Sequence, residues 1–165
     1  MISKLQKRNN EGFTIIEVMI VLAIAALILL IVLLAVPALQ RNSRNTTIKN
    51  DASSVAGGIN TSESDNNGTT PTNVTGTGTV TITNTAPSTI RVNGGTAVTF
   101  LASTSGAPTA AGGGAGQVPN SSIVVWGGHT CPTAQGGSGQ ASARAFALFY
   151  AVETSNGSTL QCLDT

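Results

Sequence analysis

The sequence is short of charged and aromatic residues. Only 9% of its 165 residues are Asp, Glu, Lys or Arg, the formal net charge is +1, and aromatic residues make up 4%. A chain so close to neutral gives no electrostatic reason to expect nucleic acid or an acidic polymer as its partner. Few large aromatic side chains are available to fill a core, so a covalent cross-link would contribute much to stability.

Residues for catalysis or metal binding are also scarce. His129, in "WGGHTC", is the one histidine, and a zinc site there would need Cys131, Cys162 and a fourth ligand. The chain has no C-x-x-C pair and no G-x-S-x-G pattern. Four acidic residues lie in polar stretches that suit solvated charge: Glu63, Asp65, Glu153 and Asp164. We therefore expect no bound metal, no cofactor and no enzymatic activity.

The most prominent feature of the sequence is one long apolar run near the N-terminus. Val18 to Val36 are nineteen consecutive uncharged residues, which as a helix would span roughly 28 Å, about one bilayer core. The run is longer than the 7–15 apolar residues of a secretory signal and lacks a clean A-x-A cleavage site. Lys4, Lys7 and Arg8 precede it, against one acidic residue, Glu11. By the positive-inside rule this end faces the cytoplasm and the residues after Pro37 face outwards.

A carboxylate, Glu17, stands at the start of this apolar segment. An acidic side chain within a spanning helix costs about 2.5–3.5 kcal/mol on insertion scales. Such a residue needs a partner, and a plain single-span anchor, the alternative interpretation of the run, would not need it.

Helical sequence continues beyond the apolar run. Pro37 would kink the helix, but the amphipathic stretch after it can continue helical, and Gly57 and Gly58 are plausible stop signals. The sequence predicts one helix from about Thr14 to Val55. Residues 60–78 are polar and predict an exposed connection.

The remaining sequence predicts a sheet. β-Branched residues alternate with others in six segments, at residues 79–85, 88–92, 96–102, 121–126, 144–154 and 158–164. A Gly/Ala/Pro-rich stretch at 105–120 predicts a flexible loop. The order, one long helix followed by an antiparallel sheet, indicates the α+β class.

The two cysteines, Cys131 and Cys162, both lie in the segment expected outside the cytoplasm. An even cysteine count in an oxidising compartment predicts a disulfide, which would stabilise the fold by roughly 3–4 kcal/mol. The alternative is a pair of buried free thiols.

The segment "GFTIIEVMIVLAI", together with the basic leader before it, resembles the start of type IV pilins and pilin-like proteins. The resemblance implies that a prepilin peptidase cuts between Gly12 and Phe13 and that the new N-terminal Phe13 is N-methylated. It also implies that Glu17 pairs with the Phe13 amine of a neighbouring copy during assembly. Relatives often have a glycine midway along the apolar segment and a slightly earlier proline, where this chain has Ala26 and Pro37. Either less melting of the helix or a shifted melt is therefore expected here.

From these residues we expect four regions. They are a cytoplasmic leader at 1–12, a membrane and filament-core helix at 13–37, its amphipathic continuation at 38–59, and an extracellular β-rich head at 60–165. The resemblance implies the main subunit of a surface filament, a helical homopolymer raised from an inner-membrane assembly platform for adhesion, motility or DNA uptake. The alternatives are a minor pilin or a pseudopilin and, in a different class, an anchored extracellular binding domain.

Overall fold

A computed structural model describes residues 12–134, 137 and 139–165. The leader at 1–12 therefore lies, apart from Gly12, outside the described residues. The chain divides into two compact units, the first ending at Leu39 and the second comprising Gln40–Thr165. Together their elements are one long helix and a sheet that is mostly antiparallel, as expected for the α+β class.

The helix, α1, spans Ile15–Asp65 and contains Pro37. The predicted end at Val55, with Gly57 and Gly58 as stop signals, is wrong. A methyl group on Gly58 would lie 2.8 Å from Cγ2 of Ile90, so this glycine lets the helix approach the sheet closely.

The helix ends instead at an Asn-Gly pair. Asn67 and Gly68 have φ values of 54° and 77°, and the amide of Gly68 donates to the carbonyl of Glu63 over 2.7 Å. This left-handed turn satisfies carbonyl groups that the last helical turn leaves free.

In the part of the chain that the structure describes, nine strands follow the helix. They are β1 (Asn73–Thr77), β2 (Thr79–Thr83), β3 (Ser88–Arg91), β4 (Ala97–Leu101), β5 (Ala110–Ala111), β6 (Gln117–Val118), β7 (Ser122–His129), β8 (Ala141–Thr154) and β9 (Gly157–Asp164). Seven of them form one sheet in the order β3-β2-β1-β4-β7-β8-β9, and β5 pairs with β6 separately. Within the large sheet β4 and β7 run parallel, because the chain crosses over between them through β5 and β6.

All six predicted segments contain strands, but β1 falls in the stretch predicted to be an exposed connection. Val74 is its only large apolar residue, so the alternation is weak. Gly76 has a φ of 147°, and a side chain there would collide with the carbonyl oxygen of Thr79 across the hairpin. The short pair β5–β6 lies within the stretch predicted to be a flexible loop.

Two apolar clusters hold the second unit together. One lies between the helix and the sheet and includes Val55, Ile59, Val125 and Phe146. The other includes Trp126 and Phe149, with Cys131 and Cys162 packed against it. The sheet is therefore covered by the helix on one side and, around β7 and β8, by the second cluster on the other.

Polar contacts join the helix to the sheet at two further places. The guanidinium of Arg44 donates two hydrogen bonds, of 2.9 and 2.6 Å, to the carboxylate of Glu153 in β8. The Asn45 side chain bonds both the amide and the carbonyl of Glu153, each over 2.8 Å. The buried carboxylate of Asp51 accepts hydrogen bonds from the amide of Asn93 and the hydroxyl of Thr96.

The outer face of the sheet's first strands is open and uncharged apart from Arg91. Threonines occupy alternate positions there, opposite the buried Val80 and Ile82, and the register places Thr75 beside Thr81 and Thr81 beside Thr89. The exposed threonines of this face are Thr75, Thr77, Thr79, Thr81, Thr83, Thr89 and Thr99. Threonine suits both the pleated backbone and water, so these strands can leave one face solvated.

Candidate functional site

The first unit presents its apolar side chains to the outside. Phe13 is 89% exposed, and none of the most apolar 18-residue window of the helix is buried. By length and composition this is the one helix of the described residues able to cross a membrane. An apolar surface of this extent requires lipid or protein around it.

The predicted cleavage position lies just before the helix. Gly12 and Phe13 are both exposed, and a side chain built on Gly12 would meet nothing within 4 Å. The fold of the described residues therefore does not require glycine at position 12.

Glu17 is bound to the start of its own helix. Its Oε2 accepts hydrogen bonds from the amide of Thr14 (2.8 Å) and from the Thr14 hydroxyl (2.7 Å). The amide of Glu17 lies 3.3 Å from the same hydroxyl, to which it donates. Thr14 and Glu17 thus form a reciprocal capping box, which satisfies amides that a helix start leaves free.

This capping role was missed at the level of sequence, although its signal was present. "TIIE" is a T-x-x-E pattern directly before an apolar run, which is typical of a helix start. The structure also places Phe13 and Glu17 beside the same surface depression of about 490 Å³, bordered further by Val21. Among the described residues, Oε1 of Glu17 accepts no hydrogen bond, so the carboxylate keeps capacity for a second partner.

Cys131 and Cys162 form a disulfide, with their Cα atoms 5.9 Å apart. The bridge joins the segment after β7 to the last strand, β9. The backbone amide of Cys131 also donates to the carboxylate of Asp164. Ligand atoms of these three residues lie within 4.8 Å of one another, but sulfur atoms joined in a disulfide are not thiolate ligands.

The His129 ring is held by two neighbouring residues. Its ring stacks on Trp126 with centroids 3.8 Å apart and planes 3° apart, and Nδ1 lies 3.2 Å from the carbonyl oxygen of Gly127.

Three of the acidic residues expected to be simply solvated have specific surroundings: Asp164 accepts the hydrogen bond from the Cys131 amide, and Glu153 and Glu63 have shifted pKa values. The hydrogen bonds from Arg44 hold the pKa of Glu153 below its usual value. Burial raises the pKa of Glu63, although the charge of Arg144 acts in the opposite direction. Glu153 sits in the contact between helix and sheet, so its position is explained by the fold. Glu63 lies in the last helical turn.

The comparisons with known proteins locate the family signal at the N-terminus. Residues 7–33 match the family described as the prokaryotic N-terminal methylation motif. Neither a curated protein nor a solved structure matches the chain. The matched residues include Gly12, Phe13 and Glu17 and most of the apolar run. At residues 7–33 the chain therefore carries the prepilin signature of type IV pilins.

Proposed function

We propose that this chain is a prepilin, cut between Gly12 and Phe13, whose mature form polymerises as the main subunit of a type IV pilus. Residues 1–12 serve as the cytoplasmic leader, 13–37 as the membrane anchor and later the filament core, and 38–59 as the amphipathic continuation. Residues 60–165 form the head outside the membrane.

The observation that carries the proposal is the coincidence of the methylation motif with an apolar helical segment whose side chains are exposed among the described residues. The motif covers residues 7–33, and the part of the helix within it, residues 15–33, is exposed throughout. Such a helix can lie in lipid before assembly and against identical helices afterwards. Both surroundings are apolar, so specificity must come from packing and from the one carboxylate.

Glu17 supplies that carboxylate. Cleavage before Phe13 creates an amine about 6 Å along the helix from it. Oε2 is already bound to Thr14, which leaves Oε1 to receive the amine of a neighbouring copy shifted along the axis. In an apolar bundle an unpaired charge is penalised severely and a paired one much less, so this contact selects the register. Methylation leaves the amine cationic and the pair intact.

Gly12 serves the peptidase rather than the fold. Space around it is open, so the requirement for glycine arises from the close hold of an enzyme on the backbone. Gly12→Val is expected to block processing and to leave the full-length precursor in the membrane. A product of mature mass from this variant would contradict the proposed junction.

The deciding experiment is mass spectrometry of the chain in sheared surface fibres. A main subunit is expected to be the principal protein of the fibres and to begin at N-methylated Phe13. Scarcity in the fibres with the same N-terminus would instead indicate a minor pilin or a pseudopilin. An N-terminus at Met1 or its near neighbours, with no incorporation into fibres, would indicate an anchored binding domain.

Several partners follow from this function. They are further copies of the chain, a prepilin peptidase at the cytoplasmic face, the inner-membrane assembly platform, and the membrane itself before assembly. No nucleic-acid specificity is part of the proposal.

A further inference from the structure

A groove of about 670 Å³ opens on the second unit where β4 and β7 end and β8 begins. It has more than twice the volume of two other depressions on this unit, of about 250 and 270 Å³. Small-molecule sites in proteins occupy about 300–1,000 Å³. The groove is therefore large enough for a ligand of one or two rings.

The strand along this groove is irregular. The pairing of β7 with β8 shifts register between Gly127 and His129, and Gly128 has a φ of 76°. A Cβ atom on Gly127 would lie 2.8 Å from Cζ of Phe100, so the floor of the groove has no room for a side chain at this position. Bulges of this kind redirect side chains and occur often beside binding sites.

The redirected side chain is His129, which is held from two sides. Its ring stacks on Trp126, whose indole N–H donates to the carbonyl of Ser105 over 3.0 Å. Nδ1 faces the carbonyl oxygen of Gly127 at 3.2 Å. A carbonyl only accepts, so in the neutral ring the proton resides on Nδ1 and Nε2 is a hydrogen-bond acceptor. Among the described residues Nε2 has no partner.

The chemistry of the lining selects the class of ligand. Among the described residues no Lys, Arg, Asp or Glu lines the groove, so an ionic ligand would find no opposite charge there. Hydroxyl groups line it on several sides, and each can donate and accept. They belong to Thr70, Thr72, Ser103 and Ser142. Beside them lie the rings of Phe100 and Phe146.

We propose that this groove binds a neutral saccharide, with its hydroxyl groups on the serine, threonine and His129 side chains and its C–H face on the apolar floor. A sugar combines many neutral hydroxyl groups with an apolar ring face, and this lining offers a partner for each. The proposal does not depend on filament assembly, so the two can fail separately.

The test uses the mature full-length chain in a detergent without sugar headgroups. It is titrated with glucose, galactose, N-acetylglucosamine and, as a charged comparison, glucuronate. His129, the single histidine of the sequence, lines the groove, and Trp126, the single tryptophan, stacks on it from outside the lining. The His129 ring resonances therefore report on the groove directly, and the tryptophan fluorescence reports on it through the stacked ring. At least one neutral sugar is expected to shift both signals saturably, and glucuronate is expected to bind more weakly.

Two variants locate the site. Ser142→Phe, at an exposed lining position, fills the groove and is expected to weaken binding at least tenfold. Thr81→Phe, an equally exposed strand position on the outer threonine face, is its control and is expected to bind as the unaltered chain does. If Ser142→Phe lowers the melting temperature, the double variant Ser103→Ala, Ser142→Ala decides. It adds no volume and is expected to weaken binding at least threefold.

Three results would overturn the proposal. They are no saturable shift with any neutral sugar at tens of millimolar, tighter binding of glucuronate, and binding that neither groove variant weakens.

Discussion

The two units of this chain treat their apolar side chains in opposite ways. In the first unit Phe13 is 89% exposed and the whole apolar run is open, whereas in the second Phe146 and Phe149 are 2% and 1% exposed. Every large hydrophobic side chain that is strongly exposed among the described residues belongs to the first unit. The second unit can be stable by its own packing, and the first needs surroundings that the chain does not contain.

The largest expected effect is the loss of filament assembly when the carboxylate of the first unit is removed. Glu17→Val makes the first unit more apolar, so membrane insertion is expected to persist. Filament formation is expected to be lost, because the neighbouring amine has no carboxylate to meet. Fibre yield and membrane content of the subunit are the measurements. Thr14→Ala is the matched control: it removes one hydroxyl of the capping box but keeps the carboxylate, and is expected to reduce assembly less. Normal fibre yield from Glu17→Val would refute the charge pair.

The second largest expected effect is a loss of stability of the second unit when its disulfide is removed. Replacing both cysteines, Cys131→Ala and Cys162→Ala, is expected to lower the free energy of unfolding of the head by about 3 kcal/mol. For a unit of this size that corresponds to a fall in melting temperature of about 10 °C. Thermal unfolding followed by circular dichroism measures it. An unchanged melting temperature would mean that the core alone determines stability.

Two adjacent glycines lie on different sides of the helix: Gly57 faces open space and Gly58 faces the sheet. A side chain on Gly57 meets nothing within 4 Å, so Gly57→Ala is expected to stabilise the helix by up to about 1 kcal/mol. Gly58→Ala pushes a methyl group into Ile90 and Ile82 and is expected to destabilise by about 1–3 kcal/mol. Urea unfolding of the two variants measures the difference. Equal effects would mean that the helix can move away from the sheet at no cost.

The smallest effect concerns the ion pair of Arg44 and Glu153, which is partly exposed, so that water and salt screen it. The folded-state pKa of Glu153 is lowered, so its stabilisation is present above the unfolded pKa of about 4.3 and is lost as pH falls through the folded value. The stability difference between the unaltered chain and Glu153→Gln is therefore expected to shrink from pH 7 to pH 3. A difference that stays constant would assign the effect to the backbone contacts with Asn45.

Local patterns predicted much of this molecule. The apolar run, the alternation in six segments and the paired cysteines each report on short stretches, and the corresponding elements are present. The helix end was misjudged because the space around Gly58 is set by Ile82 and Ile90, which lie more than twenty residues away. The parallel pairing of β4 with β7 was missed because a crossover has no local signature.

In the candidate functional site, too, contiguous motifs could be predicted and contacts between distant residues could not. Gly12, Phe13 and Glu17 could be singled out because motif and spacing are contiguous. The hydrogen bonds between Glu17 and Thr14 could also have been predicted, because "TIIE" is a T-x-x-E capping-box pattern. The groove at His129 combines β4, β7 and β8, and nothing in the sequence indicates that these strand ends meet.

The contacts between helix and sheet have a mechanical consequence. Arg44 and Asn45 hold the helix to β8 at one end of the contact, and Asn66, just after the helix, bonds the amide and carbonyl of Ala86 at the other. Tension applied along the helix axis would load these attachments and the packing between them together, in shear. A head secured in this way resists being dragged along its own helix better than one fastened at a single point.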